Sequence, residues 1–167
     1  MKFIDSKKLS HWFNAYGKVL VHYARQWLSM ESAEDVVQEA FVQLLLQKGE
    51  PANVKAWLFR SVRNAALNKA RSIRHRHKYE RRRAVSNPAW FQTSPEDLLD
   101  AVTAQSALLS LPDEQREIIL LRIWAGMTLE EASGVIGCPV STLFSRYRAG
   151  LATLQKAMEA SCKTQKD

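Results

Sequence analysis

The segment 128–151, TLEEASGVIGCPVSTLFSRYRAGL, restricts the fold of this chain most, because it contains two short helical patterns with a break between them. Gly137 and Pro139 form the break, and a second helix is predicted to begin near Ser141. Glycine can take the positive φ that a tight turn between helices requires. Leu143 is expected in the core, and the segment is predicted to be a helix-turn-helix that contacts DNA. The outward positions left for a major groove are Ser141, Thr142, Ser145, Arg146 and Arg148.

The charge of the chain indicates a polyanionic partner. Its 167 residues include 24 Lys plus Arg against 17 Asp plus Glu, which gives a net charge of +7. The cations are concentrated in 54–83, where Glu80 is the only acid, whereas in 31–50 the acids face Lys48 alone. Adjacent blocks of opposite sign predict two partners, or one partner with two surfaces. Solvated faces of ordinary helices are the alternative interpretation.

The composition also limits the class of protein. The length of 167 residues permits one ordinary domain or two small ones, and a hydrophobic content of 46% is enough to form their cores. No apolar run approaches the roughly 18 residues of a membrane span, and no signal-peptide pattern opens the chain, so a cytoplasmic protein is expected. Cys138 and Cys162 form no zinc pattern, and His75 and His77 would lie on different faces of a helix. We therefore predict no metal site and no cofactor.

Apolar residues at spacings of three and four predict three helices that close a core within 1–76. The first helix is expected over 6–29. Ser32 with Asp35 resembles a capping box at the start of the second helix, and Asn53 is predicted to cap the third. The outward residues of the second helix are Asp35, Gln38, Glu39 and Val42, and those of the third are Arg60, Arg63, Asn64, Arg71 and Arg74.

A second helical module is predicted over 95–160, after a basic linker at 77–94 that is rich in turn formers. Trp90 and Phe91 in this linker have no assigned role. Gly126 is expected to end a helix, and 161–167 forms a polar tail. The core residues expected in this module include Ile118, Ile119, Leu121, Ile123 and Trp124. The predicted fold class is all-α, with two small helical domains joined by the linker.

Short motifs follow one another in a set order along the chain. They are DxxQExF from Asp35, WLFxxxRN from Trp57, LPxExR from Leu111 and STLxSR from Ser141. Together with the segments around them, these motifs give the chain, over nearly its whole length, a pattern that resembles the extracytoplasmic-function branch of bacterial sigma factors. The resemblance implies a region 2-like domain and a region 4-like helix-turn-helix domain. It also implies a non-catalytic factor that directs bacterial core RNA polymerase to promoters and assists promoter melting.

The resemblance further implies a role for each outward surface. The second helix would contact the basic clamp helices of the polymerase through Asp35, Gln38, Glu39 and Val42. The minus-10 element and its melted non-template strand would contact Lys48, Asn53, Arg60, Arg63, Asn64, Arg71 and Arg74. The minus-35 duplex would contact Ser141, Thr142, Ser145, Arg146 and Arg148. An inhibitory anti-sigma factor is implied as well, although no residue identifies it.

At some positions the roles implied by the resemblance need a closer look at the residues themselves. Phe144 stands where the family often has a basic residue, which weakens any transfer of base preference. Arg146 and Arg148 lie about 200° apart around a helix, so one is predicted to contact bases and the other phosphate or solvent. Trp57 and Phe59 are candidates for stacking on bases, although the apolar stripe favours the core for Trp57.

Other function classes remain open at this point. A helix-turn-helix regulator that binds duplex DNA without polymerase would explain the carboxyl half, but it leaves the acidic and basic helices unassigned. A nuclease would need acids such as Glu34, Asp35 and Glu39 with His11 or His22. The sequence supplies no convincing nucleophile or metal cluster for that chemistry.

Overall fold

The computed structural model describes residues 4–77 and 98–164, with side chains in 4–76 and 104–160. In these ranges the chain forms seven α-helices and no β-strand, which confirms the all-α class. They are α1 (Ser6–Ala24), α2 (Met30–Leu45), α3 (Val54–His77), α4 (Leu98–Ser110), α5 (Asp113–Ile119), α6 (Leu129–Ile136) and α7 (Val140–Thr164). The first of two compact units contains α1 to α3, and the second contains α4, α5, α7 and most of α6. Except for His77, the expected linker with Trp90 and Phe91 lies outside the described residues.

The helices of the first unit pack around large, nearly inaccessible side chains. Leu20, Leu44 and Leu58 are fully buried, while Tyr23 and Phe59 are 2% and 1% exposed. The rings of Tyr23 and Phe59 lie 5.3 Å apart between centroids. Complete burial of a side chain of this size stabilises the fold by about 1.5–3 kcal/mol. Phe59 is therefore a core residue, and it is not available to stack on bases.

Polar caps set the starts of α2 and α3. Ser29, with an extended backbone, accepts a hydrogen bond through its Oγ from the Ser32 N–H at 3.3 Å. Ser29 is thus the cap of α2, and the prediction that Ser32 begins the helix was wrong, because Ser32 already lies in its first turn. Asn53 Oδ1 accepts the Ala56 N–H at 2.9 Å, which confirms the predicted cap of α3. Since α1 ends at Ala24, it is also shorter than predicted.

The second unit has its own core, in which Ile118, Ile119, Leu121, Met127 and Leu143 are fully buried. Ile123 and Trp124 were predicted in this core, but they are 51% and 38% exposed. After Ile119 the helix widens into a π-helical turn over Leu120–Trp124, where the Ala125 N–H donates to Leu120 O at 3.1 Å. The wider turn moves the later residues out of the register of the buried face.

The ends of helices in the second unit also test the predictions. Gly126 has a φ of 59°, in agreement with its expected role in ending the helix. The tail expected from residue 161 is helical as far as Thr164, because no glycine or proline interrupts α7 there.

Gly150 lies where α7 passes close to α5. A Cβ atom at Gly150 would come within 2.6 Å of Ile119 Cδ1 and 3.3 Å of Gln115 Cβ. A larger residue at position 150 would therefore force the Ile119 side chain, and to a lesser extent Gln115, to shift. Gly134 on α6 is different, because a Cβ atom there would meet nothing within 4 Å.

Candidate functional site

The acidic face of α2 consists of Asp35, Gln38, Glu39 and Val42, which we call the α2 surface. Its members follow spacings of three and four, and all are exposed. Asp35 Oδ2 lies 3.2 Å from Lys69 Nζ of α3, and Glu39 Oε1 accepts a hydrogen bond from Gln43 Nε2 at 3.3 Å. Val42 is 49% exposed. The structure thus brings the predicted polymerase-contact residues together on one accessible face.

An apolar feature next to α2 was missed by the sequence analysis. Phe13 of α1 is 50% exposed and packs edge-on against Phe41, with ring centroids 5.1 Å apart. An open depression of about 310 Å³ lies beside these rings and is also lined by Leu9, Ser10 and Asn14. The spacing of apolar residues along α1 does not distinguish Phe13, which is exposed, from the residues of that helix that are buried.

The outer face of α3 carries the cations predicted for the melted strand. Arg60, Asn64, Arg71 and Arg74 are exposed and Arg63 is half-exposed. At about 100° per residue, these five positions fall within an arc of about 100°, which we call the α3 surface. The other predicted contacts, Lys48 and Asn53, are exposed in the segment before α3, where Asn53 also caps the helix. Trp57 is half-buried in the first turn of α3.

Local hydrogen bonds build the start of α6 and the predicted hinge between α6 and α7. The Glu131 N–H donates to Thr128 Oγ1 at 3.1 Å, and Glu131 Oε2 accepts the Thr128 N–H at 2.9 Å, which is a reciprocal capping box. Ser133 Oγ donates to Cys138 O across the turn at 2.6 Å. Gly137 has a φ of 81°, as the prediction of a tight turn requires. These contacts confirm the helix-turn-helix geometry.

One face of α7 is accessible and holds most of the predicted duplex contacts. Ser141, Phe144, Ser145 and Arg148 are exposed at spacings of three and four, and we call them the α7 surface. The Arg148 guanidinium lies 5.7 Å from the centroid of the Phe144 ring. Thr142 is half-buried at the edge of this surface, and the neighbouring Leu143 is fully buried, as predicted.

Arg146 has different surroundings from Arg148. Its side chain is 24% exposed, and Nη2 lies 3.2 Å from Glu114 Oε1 in the first turn of α5. Nη1 donates to Cys138 Sγ at 3.5 Å. The structure therefore separates the two arginines, with Arg148 on the α7 surface and Arg146 directed at α5 and the hinge. The sequence analysis missed Glu114 as a partner, and its place in the LPxExR motif was the only signal.

Within 4–77 and 98–164, no group of three His, Cys, Asp or Glu side chains is placed to hold a metal ion. In the same ranges no helix has the length and apolar character needed to cross a membrane.

Comparisons with known proteins agree with this organisation. The family model described as Sigma-70 region 2 matches residues 12–77, and the one described as Sigma-70, region 4 matches residues 102–154. The ECF RNA polymerase sigma factor EcfG of Rhodopseudomonas palustris is 30% identical over 119 residues. That alignment covers 70% of this chain and 65% of EcfG, so the chain spans slightly less than two thirds of this relative.

Solved structures show the same fold. The sigma factor RpoE of Bartonella quintana, in complex with the anti-sigma factor NepR, has a TM-score of 0.73 and 25% identity, covering 92% of this chain and 98% of that one. CnrH, in complex with the cytosolic domain of CnrY, has a TM-score of 0.64 and 27% identity, covering 93% and 90%. The chain therefore belongs to the sigma-70 family. Within that family, its relatives assign it to the extracytoplasmic-function (ECF) sigma factors.

Proposed function

We propose that this protein is a sigma factor that directs bacterial core RNA polymerase to specific promoters and assists promoter melting. The observation that carries the proposal is the division of opposite charges between adjacent helices of one unit. The α2 surface bears exposed carboxylates, and the α3 surface bears arginines. One small unit therefore has separate surfaces for a basic protein partner and for a polyanion.

The α2 surface fits the first of these partners. Opposite charge across an interface mainly increases the rate and the orientational specificity of docking. The ion pair between Asp35 and Lys69 joins two partly exposed groups, so it contributes at most about 1 kcal/mol. A basic partner can therefore replace Lys69 at little cost. Glu39 and Val42 would extend the contact along the same face.

The α3 surface fits a single DNA strand. Strand opening requires no catalytic group, because cations that follow the freed phosphates stabilise the melted state by binding it. The side chains of Arg60, Arg71 and Arg74 are exposed over several turns of one face, with Arg63 and Asn64 between them. Lys48 and Asn53 would extend this contact to the segment before α3.

The α7 surface fits the minus-35 duplex. Ser141 and Ser145 would contact phosphate or base edges near the amino end of the helix, where unpaired backbone N–H groups also attract anions. Arg148 would reach deeper into the groove, and Thr142 would contact the phosphates beside it. Arg146, held by Glu114, would position the helix and contact the backbone.

Further partners follow from the same proposal. The solved RpoE relative is bound to an anti-sigma factor, and we extend that kind of inhibitory partner to this chain. Because bacterial core RNA polymerase acts in the cytoplasm, we expect this protein to act there as well. The proposed role requires neither catalytic residues nor a cofactor.

The test is transcription from a promoter-fragment library by core polymerase with and without the purified chain. We expect start sites that appear only when the chain is present, because the α2 and α7 surfaces would join polymerase to particular duplexes. Identical start sites in both reactions would overturn the proposal. Duplex binding without any association with polymerase would instead indicate the independent regulator.

A further inference from the structure

Phe144 is a large apolar side chain in an otherwise polar and cationic surface. It lies in the second turn of α7 and is 48% exposed, although Leu143 beside it is fully buried. Ser141 and Arg148 are its neighbours at spacings of three and four, Ser145 follows it directly, and the Arg148 guanidinium stands 5.7 Å from the ring centroid. The aromatic ring is therefore exposed along one edge of the α7 surface, and it lies outside the fully buried core.

The chemistry of the major groove supplies one apolar group for such a ring. Of the base edges exposed there, thymine carries a C5-methyl group, and an apolar side chain can pack against it. The amino-terminal residues of a recognition helix are the ones that meet base edges, and Phe144 is among them.

The charge of α7 favours DNA over a protein as the occupant of this surface. The helix has no acid before Glu159 and contains Arg146, Arg148 and Lys156. A surface of this kind attracts a polyanion. The Arg148 cation would also stay close to the phosphates or to the base next to the ring.

We propose that Phe144 determines specificity by packing against the C5-methyl group of a thymine in the duplex bound by α7. Arg148, whose guanidinium lies 5.7 Å from the ring centroid, then contacts the neighbouring base edge or phosphate. The inference rests on the proposed function in one respect, which is that α7 enters a major groove. It adds a base preference at the position where the family often has a basic residue.

The experiment removes single methyl groups from DNA. Duplexes are selected from a random pool, in one arm by the full chain and in another by the chain with core polymerase. Each thymine of the selected sequence is then replaced in turn by deoxyuridine, which lacks only the C5-methyl group. Binding is measured for the wild type, Phe144→Ala, Phe144→Leu and the control Met158→Ala, which alters an exposed apolar residue near the far end of α7.

We expect one or two thymine positions at which loss of the methyl group weakens wild-type binding about fourfold, as expected for one buried methyl group. Phe144→Ala should bind the thymine and deoxyuridine duplexes equally, whereas Phe144→Leu and Met158→Ala should keep the difference. Sensitivity that persists in Phe144→Ala would overturn the inference, as would a wild type with no sensitive position.

The outcomes separate this inference from the proposed function. If Phe144→Ala lost polymerase binding, and the thymine and deoxyuridine duplexes bound the wild type equally, the ring would belong to a protein contact. That result would overturn the inference and leave the proposed function standing. Methyl-sensitive duplex binding by a chain that never changes transcription start sites would support the inference and overturn the proposed function. Failure to enrich any duplex in either arm would overturn both.

Discussion

The two units place their candidate binding residues differently with respect to their cores. In the first unit, the α2 and α3 surfaces lie on faces away from the buried side chains. In the second unit, one short stretch of α7 holds both a core residue and a candidate binding residue. Leu143 is fully buried, whereas the adjacent Phe144 is 48% exposed. Binding faces that are separate from the core can be found from sequence spacing, whereas a helix that combines both roles has to be resolved by its contacts.

The largest expected effect comes from a substitution on the buried side of α7. Leu143→Ala should lower the free energy of unfolding of the second unit by about 2–5 kcal/mol, because it leaves a cavity in a closed core. Phe144→Ala should change that free energy by less than about 0.5 kcal/mol, since the ring lies outside the core. Urea unfolding of both variants measures the difference. Equal losses would show that the two neighbours do not have separate roles.

A charge reversal on the first unit addresses the α2 surface. Asp35→Lys combined with Glu39→Lys should weaken binding to core polymerase at least about tenfold, and more so at low salt, because it replaces attraction by repulsion. Duplex binding through the second unit should remain. Equilibrium binding to polymerase and to duplex DNA measures the two effects.

The matched control for this surface lies on the same helix. Glu34 is exposed beside the α2 surface, about 40° around the helix from Gln38 and about 140° from Glu39, so Glu34→Lys should weaken polymerase binding less than Glu39→Lys. Loss of both polymerase and duplex binding in the double variant would contradict separate roles for the two units.

The two arginines of α7 offer a finer comparison. Arg148→Ala should reduce discrimination between preferred and altered duplexes by about 1–3 kcal/mol, because a base-edge contact is lost. Arg146→Ala should weaken binding to all sequences alike, since its partners are Glu114 and Cys138. Competition binding against single-base variants measures both. Relaxed sequence choice in Arg146→Ala, with none in Arg148→Ala, would reverse the assignment.

A pair of glycine substitutions tests the approach of α7 to α5. Gly150→Ala should lower the free energy of unfolding by about 1–3 kcal/mol, because the added Cβ overlaps Ile119 and crowds Gln115. Gly134→Ala has open space and should raise it by up to about 1 kcal/mol through helix propensity. Thermal unfolding of the two variants should therefore shift in opposite directions. A rise for Gly150→Ala would show that the close approach does not constrain position 150.

The smallest effect concerns the α3 surface. Arg71→Ala or Arg74→Ala should reduce the slope of log open-complex formation against log salt by about 0.7, the value for one contact to a single strand. Arg76 is exposed about 160° around α3 from Arg60, so Arg76→Ala should leave the slope unchanged. Salt titrations of promoter opening measure both. An equal change in all three variants would indicate a general charge effect without a defined strand path.

Local rules explain what the sequence could predict. The positive φ of Gly137, the cap at Asn53 and the burial of Leu143 each follow from a few neighbouring residues, and the structure agrees with all of them. The exposed acids of α2 and arginines of α3 were found in the same way, from helical spacing. Their binding roles remain predictions that the experiments above test.

The wrong or absent predictions concern places where local rules do not apply. Ile123 and Trp124 were assigned to the core because a regular helix was assumed, and the π-helical turn breaks that register. The contact between Glu114 and Arg146 joins segments far apart in sequence, so no spacing rule could give it.

The wide turn at Leu120–Trp124 also bears on how chains of this family can vary in length. A π turn holds one more residue than the α turn that it replaces, and the extra residue is absorbed within that turn. A chain of this fold that lacks this residue is expected to form an ordinary turn and to reach Met127 and the following hinge in the same place. We therefore expect that one residue can be added or removed at this point without reshaping the second unit.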